Sequence, residues 1–209
     1  MPVDSIGSKN KLWSPSGVRI GVDVLTPILG ALNPARNNFE MMADVDFNNF
    51  FLVGEVGFGG ADEQGETASY TSNGTYYRIG PDVNFLARDK GLNVFFFGIR
   101  FAQSFYQETM TGVYEDSKWG TVNEDLDQGT STSSWAEMNT GLKVRVWRQV
   151  FMGYSFRFKF ARFETIDDQQ FASYFIPGYG QATRNNVWSF NYYVFYRFSW
   201  KKKPIRWKN

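Results

Sequence analysis

The chain has 209 residues, 19% of them aromatic with 21 Phe, a formal net charge of +1, no Cys and no His. Without Cys there are no disulfides, no lipid anchor through an N-terminal Cys and no thiolate metal site; without His the commonest general base and metal ligand are missing. The near-neutral charge argues against a nucleic-acid partner, and the lack of any run of about 18 apolar residues excludes transmembrane helices, although β-strands of alternating polarity escape that scan.

Residues 1–16 read as a polar tail ending at Pro15 and Gly17. Met1-Pro2-Val3-Asp4-Ser5 has neither a basic nor an apolar signal region, so an exported chain would stand here in its mature form. Val18, Ile20, Val22 and Val24 alternate with Arg19, Gly21 and Asp23 to give the first strand, and Pro27, Gly30 and Pro34 mark a loop after it. The second strand sets Phe39, Met41, Ala43, Val45 and Phe47 against Glu40, Met42, Asp44 and Asp46, with a tight turn at Asn48-Asn49. The third runs Phe50 to Phe58, with Glu55 on its polar file, and a Gly/Ser/Thr-rich loop spans 60–74. The fourth opposes Tyr77, Ile79, Pro81, Val83 and Phe85 to Arg78 and Asp82; Gly80-Pro81 predicts a bulge, because Pro removes a ladder donor.

After a turn at 87–91, the fifth strand places Phe95, Phe97, Ile99 and Phe101 opposite Arg100, and a long acidic loop covers about 107–133. The sixth opposes Ala136, Met138, Leu142, Val144 and Val146 to Glu137, Lys143 and Arg145, with a turn at Arg148-Gln149. The seventh, Val150 to Phe160, carries Arg157 and Lys159 on its polar file, and a loop over 164–185 leads to the eighth. There Trp188, Phe190, Tyr192, Val194, Tyr196, Phe198 and Trp200 occupy every second position, and Tyr192, Val194, Tyr196 and Phe198 resemble the C-terminal signal of bacterial outer-membrane β-barrels. Residues 201–209 form a basic tail.

Eight strands with alternating long and short connections are the pattern of an all-β, eight-stranded antiparallel up-and-down transmembrane β-barrel over residues 17–200, with both termini on the periplasmic side. Period-two alternation does not say which face is inside, so a soluble lipocalin-like lipid-binding barrel is the rival. So many large rings would fill an eight-stranded interior and leave no room for a ligand. Facing outward they form two girdles, with Phe47, Phe50, Phe85, Phe95 and Phe198 at one rim and Phe39, Phe58, Tyr77, Phe160 and Trp188 at the other.

The inward files then hold eight cations (Arg19, Arg78, Arg100, Lys143, Arg145, Arg157, Lys159, Arg197) and seven anions (Asp23, Glu40, Asp44, Asp46, Glu55, Asp82, Glu137). Most acids lie on the first four strands and most bases on the last four, so the expected lumen is crossed by ion pairs and plugged. The network residues are Asp23, Glu40, Asp44, Glu55, Arg78, Asp82, Arg100, Glu137, Lys143, Arg157 and Arg197.

The sequence resembles the small eight-stranded outer-membrane barrels represented by the OmpA transmembrane domain and OmpX. It also looks like an uncharacterised outer-membrane barrel family of Bacteroidota, through Leu52-Val-Gly-Glu-Val-Gly-Phe58, Gly74-Thr-Tyr-Tyr-Arg-Ile-Gly80, Phe97-Gly-Ile-Arg-Phe101, Gly141-Leu-Lys-Val-Arg-Val-Trp147, Tyr174-Phe-Ile-Pro-Gly-Tyr-Gly180 and Asn191-Tyr-Tyr-Val-Phe-Tyr-Arg197. The resemblance implies fold and membrane and no activity; the enzymes among outer-membrane barrels, lipid A deacylase and palmitoyltransferase, phospholipase and omptin-type protease, depend on a His that this chain lacks. The expectation is therefore a non-enzymatic outer-membrane protein without cofactor or metal, structural or accessory, partnered by outer-membrane lipids or by other subunits of an envelope complex. A surface binding or adhesion protein using acidic loops is the second reading. Glu124-Asp125-Leu126-Asp127 reads as a solvated acidic segment, since no bidentate Glu follows at calcium-loop spacing. Tyr174-Phe175-Ile176-Pro177 is too apolar for a free loop and must fold onto the rim or bind a partner.

Overall fold

The computed structural model describes residues 15–47, 49–116, 120–166 and 171–200; both tails beyond Pro15 and Trp200, and Asn48 of the first predicted turn, lie outside the described residues. In chain order the elements are β1 (Gly17–Asp23), α1 (Leu25–Leu32), β2 (Arg36–Asp46), β3 (Phe50–Gln64), β4 (Ala68–Asn84), β5 (Val94–Asp116), β6 (Gly120–Trp147), β7 (Val150–Ile166), β8 (Phe175–Ile176), β9 (Gly180–Gln181) and β10 (Val187–Ser199). The protein is all-β apart from α1. β1 to β7 and β10 form one antiparallel sheet in which each strand pairs with the next, and β1 pairs with both β2 and β10, closing the ring. β8 and β9 form a separate two-stranded hairpin.

The period-two pattern sorts side chains to the two faces as the chemistry requires. On β5, Phe97, Ile99, Phe101 and Phe105 are exposed, Ile99 at 54%, while Arg100, Ala102 and Ser104 between them are buried. Among the described residues, thirty-three large hydrophobic side chains are exposed and seventeen hydrophobic ones buried, the reverse of an ordinary water-soluble core. Small residues on the inner face make room for large ones. A Cβ at Gly98 would fall 1.9 Å from Asp82 Oδ1, so a side chain there would displace that carboxylate.

The ends of the ring differ. At the turn end the connections close tightly, Phe47 N donating to Phe50 O at 2.9 Å and Arg148 adopting φ 45° between paired Trp147 and Val150. At the hairpin end the expected long loops are strand instead. β3 and β4 remain paired to Gln64 and Ser69, and β5 and β6 to Asp116 and Gly120, so residues 60–64, 69–74, 107–116 and 120–133 continue the ladder beyond the apolar belt. Their Thr, Ser and Tyr content suits strands, and outside the bulge at Gln107/Thr109 the paired residues extend a hairpin already in register. The loop expected at Pro27 to Pro34 contains α1. Pro27 sits in its first turn, where the missing N–H has no carbonyl to bond. No bulge forms at Gly80-Pro81: the register to β5 is the same on either side, from Ile79↔Phe101 to Asp82↔Gly98. The proline faces outward and the ladder skips it. Bulges fall at Gln107/Thr109, Ser134/Ala136 and Arg145/Trp147.

Candidate functional site

The interior is filled in three strata. Nearest the turn end, Met42, Phe51, Val53, Val94, Phe96, Phe151, Tyr193 and Phe195 form an apolar floor. Arg19 and Lys143 rest on it, the guanidinium 4.4 Å from the Phe51 ring centre and the ammonium 4.9 Å from that of Phe96.

Above the floor lies the ionic stratum. Glu40 on β2 is its hub, accepting from Arg157 at 2.7 Å, Tyr76 at 2.8 Å, and the side chains of Arg78 and Tyr193. Glu55 faces Arg157, Arg78 and Arg100 at 3.0, 3.3 and 3.5 Å. Arg78 also reaches Glu137 at 2.9 Å, and the Trp135 indole donates to that same carboxylate at 2.7 Å. Asp82 pairs with Arg100 at 2.6 Å, Asp44 with Arg19 at 2.8 Å and Lys143 at 2.7 Å, and Asp46 with Arg197 at 3.2 Å.

Pairing between acids of the first four strands and bases of the last four holds for Asp44 with Lys143, for Glu40 and Glu55 with Arg157, for Asp82 and Glu55 with Arg100, and for Asp46 with Arg197. Arg19 and Arg78, bases of the first half, also pair within it, because register places Arg19 directly across from Asp44 and Arg78 across from Glu55, and cross-strand neighbours lie within about 5 Å; Arg78 reaches the other half as well, at Glu137. Asp23 has no cation within ion-pair distance among the described residues; it accepts instead from Asn191 at 2.7 Å, from Thr26, and from the backbone of Leu25 and Tyr192. Arg145 is exposed rather than inward, standing past Lys143 at the open turn end beside a bulge. With Arg145 outside, the buried charges of this stratum and the floor balance. Among the described residues, seven cations (Arg19, Arg78, Arg100, Lys143, Arg157, Lys159, Arg197) meet seven anions (Asp23, Glu40, Asp44, Asp46, Glu55, Asp82, Glu137). The remaining predicted residues, Tyr192, Val194, Tyr196 and Phe198, lie on the outward file of β10, half-buried or exposed.

The top stratum is sealed by the segment 171–186, which turns inward. Its β8–β9 hairpin places Ile176 and Tyr179, both fully buried, against Tyr76, Ala102, Tyr106 and Trp135. Gly178 at the tip has φ +80°, and a Cβ there would meet the Tyr76 ring at 2.5 Å. The Gly178 carbonyl accepts from Arg78 at 2.8 Å and from Lys159 at 2.7 Å.

One stretch of the wall is incomplete. β1 ends at Asp23, so β2 from Arg36 to Glu40 pairs only with β3, and β10 from Val187 to Asn191 only with β7, among the described residues. α1 lies across this seam, with Thr26 and Asn38 in contact at 3.5 Å. Behind it is a cavity of about 410 Å³ whose walls include Arg36, Glu40, Arg78, Arg157, Lys159, Arg184, Ser189 and Asn191, with Phe175, Val187, Trp188 and Phe190 as its apolar part.

A family model described as a domain of unknown function (DUF6048) matches residues 1–203. The chain belongs to that family. No curated protein matches the sequence. In this DUF6048 chain a second polar cluster, missed in the sequence because 107–133 reads as a loop, lies above the cap. Glu108 on β5 is fully buried and accepts from Tyr70, from Ser173 at 2.7 Å and from Gln128 at 2.9 Å. Burial pushes its carboxyl above the ordinary range; burial first and then Glu108 raise the Tyr70 hydroxyl. The cluster holds the cap, since Tyr70 also bonds the Phe175 amide at 2.9 Å and Ser72 the Phe175 carbonyl at 2.8 Å. The inward file Ala102, Ser104, Tyr106, Glu108 was the available signal, as it keeps its period past the end of the apolar file. The acids Glu124, Asp125 and Asp127 are exposed on β6, not in a loop, and among the described residues no group of three or more acidic side chains is placed to hold a metal.

Proposed function

We propose that this protein is a non-enzymatic integral outer-membrane β-barrel with a plugged lumen, a structural or accessory subunit of an envelope complex, its termini on the periplasmic side. The observation that carries the reading is the outer belt. On the ring strands, the outward positions between the two rims hold no Asp, Glu, Lys or Arg. On β5 the belt runs from Phe95 to Phe105, about 33 Å of strand, which at a tilt of about 40° spans about 25 Å, the height of the apolar band of such barrels. Aromatic pairs stand at both rims, Phe47–Phe50 and Phe85–Phe95 at the turn end and Phe39–Phe58 and Tyr77–Phe105 at the other. Ring closure leaves no unpaired edge in the wall outside the α1 seam, as a bilayer demands. A lipocalin-type ligand barrel would have the two faces exchanged.

A plugged barrel makes a measurable claim. Reconstituted in planar bilayers, the protein forms no stable conducting state, and neither does a version with the β3–β4 and β5–β6 extensions shortened, because floor and ionic stratum lie within the wall. A steady open channel in the shortened version would refute the plug. The exposed acids of the β5–β6 extension, Glu124, Asp125 and Asp127, favour the second reading, a surface-binding role. Loss of co-purifying envelope proteins on removing that extension alone would support it over a subunit docked through the wall.

A further inference from the structure

We infer that the seam beneath α1 admits the hydroxyl-bearing anionic head group of a single membrane amphiphile, which Lys159 binds while its hydrocarbon tail stays outside. This rests on the membrane reading above.

The cavity is a built site with unspent donors and acceptors. Lys159 is nearly fully buried on β7, and its ammonium donates to the carbonyls of Gly178 at 2.7 Å and Tyr179 at 3.0 Å. An ammonium has three N–H donors, so one is left. Among the described residues no carboxylate lies within ion-pair distance of it. The one acid of the described cavity lining, Glu40, is occupied by two arginines and two tyrosines, and Glu137, across from Lys159 in the β6–β7 register, lies beyond ion-pair distance and accepts from Arg78 and Trp135. Arg184 on the cap is exposed and likewise makes no ion pair among the described residues, and Arg36 shares only a half-exposed pair with Glu63. The described lining itself holds five cations, Arg36, Arg78, Arg157, Lys159 and Arg184, to one anion, Glu40, with Asp23 and Glu137 standing behind it.

Two acceptors sit beside it. Asn191, 4% exposed, donates one amide hydrogen to Asp23, while its Oδ1 is buried without a partner among the described residues, and Ser189 Oγ is equally alone. Buried polar atoms in native proteins are seldom left this way. A ligand that supplies an anionic oxygen to Lys159 and a hydroxyl to Asn191 satisfies both groups at once. The cavity holds roughly a dozen groups of water size, at about 30 Å³ each, enough for a head group and not for its chains.

The route points to the bilayer. Because β1 stops at Asp23, the wall beside the cavity is closed by α1 and not by a strand, and this gap in the ladder is bordered by exposed Ile28, Leu29 and Leu32 of α1 and by outward Trp188 and Phe190 of β10. A free phosphorylated solute needs the cations but not this apolar lane.

The test is native mass spectrometry of the full chain released from mixed micelles containing phosphatidylglycerol and phosphatidylcholine, with glycerol phosphate as the chainless arm. The expected result is one phosphatidylglycerol retained per chain and no phosphatidylcholine. Glycerol phosphate binds at least about tenfold more weakly, and Lys159→Gln lowers occupancy about tenfold, the loss expected for one charge-assisted contact. Arg184→Glu, on the exposed cap, lowers it as well and serves if Lys159→Gln fails to fold, as judged by gel mobility before and after boiling. Equal retention of both lipids, or occupancy unchanged in a folded variant, overturns the site. Glycerol phosphate binding as tightly as the lipid overturns the lateral route. A chain that stays monomeric without detergent overturns the membrane reading itself, which is a separate result.

Discussion

Arg100→Ala tests the ionic stratum most sharply, because the two carboxylates beside Arg100 have different alternatives. Glu55 keeps Arg157 at 3.0 Å and Arg78 at 3.3 Å. Asp82 has Arg100 at 2.6 Å and, among the described residues, no second cation within ion-pair distance. Truncation therefore strands Asp82, which is fully buried. Breaking a buried pair from one side costs about 3 to 5 kcal/mol, whereas removing Arg36 from its half-exposed pair with Glu63 costs at most about 1 kcal/mol. The double variant Arg100→Ala/Asp82→Ala removes the stranded charge and regains most of the loss; Arg100→Ala/Glu55→Ala does not, since it strands part of Arg78 and Arg157 as well. Urea unfolding in lipid vesicles, followed by tryptophan fluorescence and by the mobility difference between folded and boiled protein, measures all four variants. A cost below about 1 kcal/mol for Arg100→Ala, or equal behaviour of the two double variants, refutes the pairing scheme.

Ile99→Arg, at mid-height of the exposed belt, costs about 2 to 4 kcal/mol in bilayers if that face meets lipid, and full tolerance in the same unfolding assay contradicts the assigned facing. Glu108 sets a pH dependence for the cap. Its folded pKa stands above its unfolded value, so its contribution is complete below the ordinary glutamate range, about pH 4.3, and is lost as pH rises through the folded value. Amide exchange at Phe175 and Ala182, corrected for intrinsic rates, accelerates over that rise, and Glu108→Gln flattens the dependence. An unchanged slope in Glu108→Gln places the titration elsewhere.

The facing of the sheet was legible because Trp188 to Trp200 and its counterparts contrast ring with polar group at every step. The contrast vanishes above the belt. There the inward positions are Ser72, Ser104, Ser131 and Ser133 and the outward ones Thr and Asn, so composition reads as loop while hydrogen bonding makes ladder. The charged members of the interior were readable from the same alternation, but their partners were not. Register sets who faces whom, and a residue's pattern says nothing of its neighbour's offset. Tyr174 to Pro177 stood out as too apolar for water, yet its destination against Trp135 and Tyr76 exists only once the ring encloses it.

The way the ring closes also constrains how the chain assembles. Val18 pairs with Phe198, and the Trp200 amide reaches Ser16 at 3.3 Å, so the join is made by the two ends of the described chain. Every other ring partner is the next ring strand in sequence, while this one must wait for β10, the last strand of the ring to be made. Until then the growing sheet carries two bare edges, and any strand from another molecule can pair there as well as the proper one. Contacts so distant in sequence form late and slowly, which makes the interval before closure, rather than the finished wall, the time when this protein is most open to misassembly.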